Sequence, residues 1–188
     1  MSRAAVALVH HPCLDKQGKV YTTSLTNLDV HDIARSSRTF GVAAYYIVTP
    51  IRAQQELART IASFWEEGRG KERNPDRTEA LRTVRVVSSI EDAIEAEARE
   101  LGTAPLIVVT SARDVEESVS YGEGRARMAA APGSLILFGT GHGLAPAVLE
   151  RADIVLEPIH GSDGYNHLSV RSAAAIILDR LLSHDRAG

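Results

Sequence analysis

The chain has 188 residues, of which 44% are apolar and 24% charged, and its formal net charge at pH 7 is −3. This composition predicts one folded domain spanning residues 1–188 and argues against disorder. No apolar run is long enough for a membrane span and the first residues do not resemble a signal peptide, so we expect a cytoplasmic protein. A net acidic charge argues against a protein that coats nucleic acid through bulk charge, although local basic patches are compatible with it.

Metal chemistry has little support in this sequence. Cys13 is the only cysteine, which excludes an internal disulfide and a cysteine-cluster metal site. The seven histidines form no H-E-x-x-H array, and the adjacent His10 and His11 would point apart in a strand. We therefore expect no metal site.

Apolar runs rich in β-branched residues alternate with helical patterns along the whole chain. The predicted strands are Ala4–Val9, Ala43–Val48, Val84–Val87, Leu106–Val109, Leu135–Phe138 and Ile154–Leu156. The predicted helices lie near Val30–Phe40, Ala53–Glu66, Ile90–Leu101, Val115–Met128, Leu144–Arg151 and Ser169–Leu182. This alternation indicates an α/β fold with a mainly parallel six-stranded sheet and helices on both faces.

The first predicted helix carries charged residues on its outer face. Asp29 can cap it, and its inward stripe is Val30, Ile33, Ala34 and Ser37. His31, Asp32, Arg35 and Arg38 then lie on or near the outer face. Arg35 and Arg38 could hold a phosphate or orient a polar acceptor, whereas helix position alone favours a surface ion pair between Asp32 and Arg35.

Two polar segments are predicted as loops. Gly68–Arg77 is glycine-containing and basic, and a solvated surface loop is favoured there over one that grips a substrate. His160–His167 has two glycines and several hydrogen-bonding side chains, which favours a binding site. The helix that follows is capped by Ser169 and is apolar all round at Ala173–Leu178, so it should meet a partner chain or a second layer of its own fold.

The strand Leu135–Phe138 ends in three glycines at alternate positions, Gly139, Gly141 and Gly143. Ligands of open α/β sheets bind outside the carboxyl ends of strands, so this loop could hold one; an ordinary strand-to-helix turn explains the glycines about as well. The glycine spacing does not fit the dinucleotide fingerprint, and neither a P-loop nor a G-x-S-x-G elbow is present. Hydride transfer, kinase and hydrolase chemistry are therefore disfavoured.

Three segments carry family-like patterns: A-R-S-S-R-T-F-G, with Arg35 six residues before Gly41; L-F-G-T-G-H-G-L; and L-E-P-I-H-G followed by L-S-V-R-S-A-A-A-I. In this order, and over most of the chain, they resemble the motifs of the SPOUT class of S-adenosylmethionine-dependent RNA methyltransferases. The runs N-L-D-V-H-D-I-A-R-S-S-R and Y-N-H-L-S-V-R-S-A are similar to a stand-alone bacterial branch related to the catalytic domain of the tRNA guanine-N1 methyltransferases.

The sequence departs from the members that methylate ribose 2′-OH groups. Asp29 stands where an asparagine is usual, Gly141 where a glutamate is common, and Ser169 replaces the asparagine of the third motif. These differences favour a base nitrogen over a ribose 2′-OH as the acceptor.

The resemblance implies a deep C-terminal trefoil knot, a homodimer packed through the last helix, S-adenosylmethionine as cofactor and tRNA or rRNA as substrate. It places the cofactor against Thr110, Ser111, Phe138, Gly139, Thr140, Gly141, Gly143, Ile159, His160, Gly161, Asn166 and Leu168. Arg35 is expected to orient or activate the acceptor, with Asp29 or Asp32 as the base, and Arg38 and Arg171 are expected to meet RNA phosphate. Two alternatives remain: a knotted module that binds S-adenosylmethionine without methyl transfer, and an α/β nucleotide-binding enzyme of another kind.

Overall fold

The computed structural model describes residues 2–67 and 69–183, and within them a six-stranded parallel sheet forms the centre of the molecule. Its strands are β1 (Arg3–Val9), β4 (Ala44–Val48), β5 (Val84–Val87), β6 (Leu106–Val109), β7 (Gly133–Gly139) and β8 (Ile154–Val155). They lie side by side in the order β5-β4-β1-β7-β6-β8. A separate antiparallel hairpin consists of β2 (Cys13–Leu14) and β3 (Val20–Tyr21).

Helices cover both faces of the sheet. They are α1 (Asn27–Thr39), α2 (Arg52–Glu66), α3 (Arg69–Arg73), α4 (Pro75–Leu81), α5 (Ile90–Leu101), α6 (Tyr121–Ala130), α7 (Pro146–Leu149) and α8 (Val170–Leu182). Alternate side chains of β1 enter different cores: Val6 and Leu8 pack with α1, α4, α6 and α8, whereas Ala5 and Ala7 pack with α5 and α7. The predicted α/β architecture is confirmed.

The segment predicted as the Gly68–Arg77 loop is mostly helical, so that prediction is wrong for Arg69–Arg77. Residues of this segment form α3 and the start of α4, while Gly68 itself lies outside the described residues. Asn74 caps α4 by accepting a hydrogen bond from the Arg77 amide at 3.0 Å, and Pro75 occupies the first turn. The Asn-Pro pair is a helix-start signal because proline has no amide to leave unpaired there.

Two predicted helices begin later than expected. Val119 bridges to Leu156, which holds the chain extended until Ser120 caps α6. Leu144 bridges to Cys13, so α7 is confined to Pro146–Leu149. In both cases a long-range backbone contact competes with the local helical pattern.

The caps and burial of α1 and α8 are partly as predicted. The N-cap of α1 is Thr26, so the prediction that Asp29 caps this helix is wrong. Asp29 is the third helical residue, and its carboxylate accepts a hydrogen bond from the Thr26 amide in a capping box. Ser169 caps α8 as predicted, accepting from the Ser172 amide at 3.3 Å. One side of α8 is buried in the chain's own core, whereas Ala173, Ala175 and Ile176 are partly exposed. Across residues 2–67 and 69–183, no helix has the length and apolarity needed to cross a membrane.

Candidate functional site

The glycine-rich loop after β7 rests on the β2–β3 hairpin. The Leu14 amide donates to the Gly143 carbonyl and the His142 amide donates to the Leu14 carbonyl, both at 2.9 Å. Gly141 has φ +63°, and a Cβ there would lie 2.6 Å from the Tyr21 hydroxyl. The positive φ strains any other residue there, and the Leu14 carbonyl lies 3.1 Å from the Cβ position, so glycine is favoured at this position. Gly143, at φ +104°, faces open space, which leaves room for a ligand on that part of the loop.

Three of the predicted cofactor segments meet at the carboxyl ends of β6 and β7. Arg113 donates to the His142 carbonyl at 3.3 Å, which joins the Thr110–Arg113 segment to the glycine loop. Asn166 Nδ2 donates to the Ala112 carbonyl at 2.6 Å, which brings the loop before α8 to the same place. Ser111 Oγ closes its own turn by accepting from the Arg113 amide. Segments far apart in the sequence therefore form one continuous rim.

Several predicted cofactor residues can reach a ligand only through their backbone. Phe138 is 1% exposed and its ring belongs to the core. The Thr140 hydroxyl lies 2.6 Å from the Thr23 hydroxyl and donates to the Val9 carbonyl at 3.0 Å. Within the part of the chain that the structure describes, the Ile159, His160 and Gly161 amides make no intrachain hydrogen bond, so these donors are available.

His10 is a buried polar residue of this edge that the sequence analysis did not assign to the site. It follows β1 directly, and its Nδ1 lies 2.7 Å from the Thr23 hydroxyl, which also contacts Thr140. Burial, only partly opposed by the nearby Asp29 carboxylate, lowers the pKa of His10 to about 4. The imidazole is therefore neutral at physiological pH. Its position at the carboxyl end of a central strand is the sequence signal that could have identified it.

The predicted acidic residues lie between α1 and α8. Asp29 is 5% exposed; it accepts from the Thr26 hydroxyl at 2.6 Å and from Arg171 Nη1 at 2.9 Å. Asp32 is more exposed, and its carboxylate lies 3.4 Å from Arg171 Nε. Arg171 thus joins both carboxylates to the start of α8, while the ion pair considered between Asp32 and Arg35 is not formed among the described residues.

Arg35 is exposed, and its guanidinium has no hydrogen bond or ion pair with any other described residue. It borders a cleft of about 610 Å³ between α1 and α8, together with Asp32, Ser169 and Arg171. The loop that carries Asn166 and Leu168 leads directly into α8, which forms one wall of this cleft. Arg35 on the opposite wall is therefore on the same side of the molecule as the end of that loop. Arg38, one turn further along α1, makes an exposed ion pair with Glu79.

No group of three or more His, Cys, Asp or Glu side chains in residues 2–67 and 69–183 is arranged to hold a metal ion. Cys13 is a free, buried thiol that donates to the Val9 carbonyl. Burial raises its pKa, which keeps it protonated and unreactive.

Residues 3–183 match the model of a family described as SAM-dependent RNA methyltransferases, and the chain belongs to this family. A tRNA (guanine-N(1)-)-methyltransferase of Oleidesulfovibrio alaskensis is 51% identical over 176 residues, which are 94% of this chain but 41% of that protein. An uncharacterized protein of Aquifex aeolicus is 43% identical over 182 residues, covering 96% of this chain and 89% of that one.

A solved tRNA-modifying enzyme has a similar fold. The crystal structure of an A. aeolicus TrmH/SpoU tRNA modifying enzyme superposes on 97% of this chain and 75% of its own, with a TM-score of 0.57 and 17% identity. The resemblance to SPOUT methyltransferases is confirmed by this fold and by the family match. S-adenosylmethionine is accordingly the cofactor of the family. The rim fits such a ligand because it has open space beside Gly143, and the unpaired amides of Ile159–Gly161 lie a few residues before Asn166 in the chain.

Proposed function

We propose that this chain transfers a methyl group from S-adenosylmethionine to a nucleotide of RNA. The observation that carries the proposal is the junction of three loops at the carboxyl ends of β6 and β7, in a chain of this family. The chain spans 41% of the curated relatives named as tRNA methyltransferases, so the guanine-N1 activity belongs to those longer proteins. Their name supports tRNA as the substrate, with a base nitrogen as the favoured acceptor.

The cofactor would be held mainly by main-chain groups of the three loops. We assign to it Thr110, Ser111, Phe138, Gly139, Thr140, Gly141, Gly143, Ile159, His160, Gly161, Asn166 and Leu168. When bound, S-adenosylmethionine supplies an electrophilic methyl group. The protein's contribution is then alignment of the acceptor and removal of its proton.

Arg35 is proposed to orient the acceptor, because its guanidinium is exposed, unpaired and next to the cleft between α1 and α8. Asp32 is the more accessible of the two proposed bases, since the Asp29 carboxylate is already bound by Thr26 and Arg171. Arg38 is proposed to meet RNA phosphate, because its exposed ion pair with Glu79 is weak enough to exchange. Arg171 is proposed to contact RNA phosphate with the part of its guanidinium that does not face Asp29 and Asp32.

A threaded C-terminal segment is part of the proposal. The Leu156 amide donates to the Val109 carbonyl and the Glu157 amide to the Val119 carbonyl, both at 2.9 Å. Residues 156–157 therefore run between the two ends of the 110–118 segment, which supports the trefoil knot expected from the family resemblance. A crystal structure traced through residues 105–170 would test it.

The proposal also includes a homodimer, supported by the apolar residues of α8 that its own core leaves partly exposed. Ala173, Ala175 and Ile176 lie on that side of the helix. The expected location is the cytoplasm, where tRNA and rRNA are found.

Calorimetry and methyl incorporation together test the function. S-adenosylmethionine should bind while NAD and ATP should not, and tritiated methyl groups should enter total RNA from a strain lacking the gene. Arg35→Ala should keep cofactor affinity and lose transfer, because an interaction made in the transition state lowers turnover more than binding. Cofactor binding without incorporation into any RNA would instead identify a binding module.

A further inference from the structure

A second cleft, of about 630 Å³, lies between α1 and α2 on the other side of Arg35. Aromatic, aliphatic and cationic side chains line it together: Leu28, His31, Phe64, Trp65, Arg35 and Arg77. Only 5% of the residues in the chain are Phe, Trp or Tyr, and the single tryptophan is among those found here. This concentration of aromatic side chains in an aromatic-poor chain makes the cleft a candidate ligand site.

Trp65 is a fixed wall of this cleft. The Arg77 guanidinium lies over its ring at 4.8 Å from the centroid. A Cβ on Gly70 would come within 2.7 Å of the indole Cε3, so the backbone of α3 also approaches the ring closely. His31 meets the indole edge-on at 5.8 Å, and burial, followed by the charge of Arg77, lowers the pKa of His31. The imidazole is therefore uncharged at neutral pH and adds aromatic surface.

Phe64 is the accessible aromatic platform. Phe64 is 52% exposed, and its ring is nearly perpendicular to the Trp65 ring, with the two centroids 5.2 Å apart. A flat ligand can lie on Phe64 while one edge meets Trp65. The opposite wall carries Leu28, which is 57% exposed.

The cleft carries uncompensated positive charge. Neither Arg35 nor Arg77 makes a side-chain hydrogen bond or ion pair within residues 2–67 and 69–183, and Arg77 Nε is buried without a partner. The one carboxylate in the lining, Asp32, is directed to Arg171 of α8. An anionic ligand is thus matched by charge.

We propose that the cleft between α1 and α2 binds one nucleotide of the RNA next to the nucleotide that reacts, with its base on Phe64 and its phosphate at Arg35 and Arg77. Unstacked bases bind to aromatic side chains, and guanidinium groups match phosphate. The position follows from Arg35, which borders both this cleft and the one at α8. The inference rests on RNA being the substrate and adds where the neighbouring nucleotide lies.

The single tryptophan gives a direct readout. A short oligoadenylate should change the emission of Trp65 when it binds, and by more than a ribose-phosphate oligomer of the same length without bases, which can contact only the arginines. Phe64→Ala should weaken oligoadenylate binding by roughly tenfold and raise the KM for RNA more than it lowers kcat. Leu57→Ala is the matched control, because Leu57 lies on the same helix, is 44% exposed and is not part of the lining.

The outcomes separate this inference from the proposed function. Oligoadenylate binding, measured by anisotropy, that is equal in Phe64→Ala and the parent would overturn the cleft assignment and leave methyl transfer intact. A Trp65 emission that shifts with protein concentration alone in both the parent and Ile176→Glu would also overturn it, since a second copy of the chain would then fill the cleft independently of α8. Absence of both RNA binding and methyl incorporation in the parent would overturn the proposed function itself.

Discussion

His10 shows how a single side chain can make stability depend on pH. Its imidazole is 0% exposed, and its Nε2 has no hydrogen-bond partner among the described residues. Protonation would place a charge in that environment, which is why burial lowers its pKa to about 4. In the unfolded chain the same group titrates near 6.5.

Acidification should therefore destabilise the fold through His10. Between pH 6.5 and 4 the unfolded chain binds more protons at this residue than the folded chain, so stability is lost as pH falls through that window. Its contribution to the free energy of unfolding should decrease by about 2 kcal/mol between pH 7.5 and pH 5. Urea denaturation at the two pH values measures the change.

A matched control distinguishes the contribution of His10 to the pH dependence from that of the carboxylates, which also bind protons as the pH falls. His10→Gln should flatten the pH dependence, and His11→Gln is the matched control because it replaces the adjacent histidine, which is half-buried. The same pH dependence in the parent and in His10→Gln would assign the effect to other groups.

At the scale of elements, one guanidinium joins the first helix to the last. Arg171 in the first turn of α8 contacts Asp29 and Asp32 of α1, residues separated from it by about 140 positions in the chain. The Asp29 carboxylate is 5% exposed, so it depends on this partner more than a surface group would. These contacts hold α8 against α1 at the cleft that Arg35 borders.

Arg171→Ala should lower the free energy of unfolding by about 1–3 kcal/mol, because the buried Asp29 carboxylate loses its charged partner. Arg38→Ala is the matched control: it removes an arginine from an ion pair in which both side chains are about half exposed, and should cost roughly 0–1 kcal/mol. Denaturant midpoints compare the two variants. Equal losses would show that Arg171 is an ordinary surface arginine.

Element positions were predictable wherever local pattern and tertiary packing agree. Val84–Val87 and Leu106–Val109 are strands with the predicted bounds, and Ile90–Leu101 is the predicted helix. The sequence does not predict the hairpin of β2 and β3, because each strand has only two residues, too few for a periodic pattern. Its turn signal, Asp15 with Gly18, was present in the sequence.

Only part of the candidate site can be predicted from the sequence. The glycine loop and the loop before α8 were predicted from motifs, and the structure brings them to one edge. The contacts of Arg171 with Asp29 and Asp32 could not be predicted, since they depend on how α8 packs against α1. The cleft at Phe64 and Trp65 likewise requires α1, α2 and α4 to be placed in space.

At the scale of the whole molecule, the side of α8 that its own core leaves exposed should mediate self-association. Light scattering should give about twice the chain mass of 20.3 kDa. Ile176→Glu should yield a folded monomer, because Ile176 is partly exposed in the single chain. Ala174→Glu should unfold the chain instead, since Ala174 is 0% exposed. A parent protein that is monomeric at all concentrations would remove the dimer from the proposal.

The order of strands in the sheet constrains how the chain is made. β1 is paired along its whole length with β7, whose first residue follows the last of β1 by more than a hundred positions. During synthesis, β1, β4 and β5 can associate early, but the other edge of β1 stays open until residues 133–139 have left the ribosome. That edge belongs to the apolar segment Ala4–Val9, and an open apolar strand edge can pair with a strand of another chain. The nascent chain therefore exposes an aggregation-prone strand edge until residues 133–139 have emerged from the ribosome.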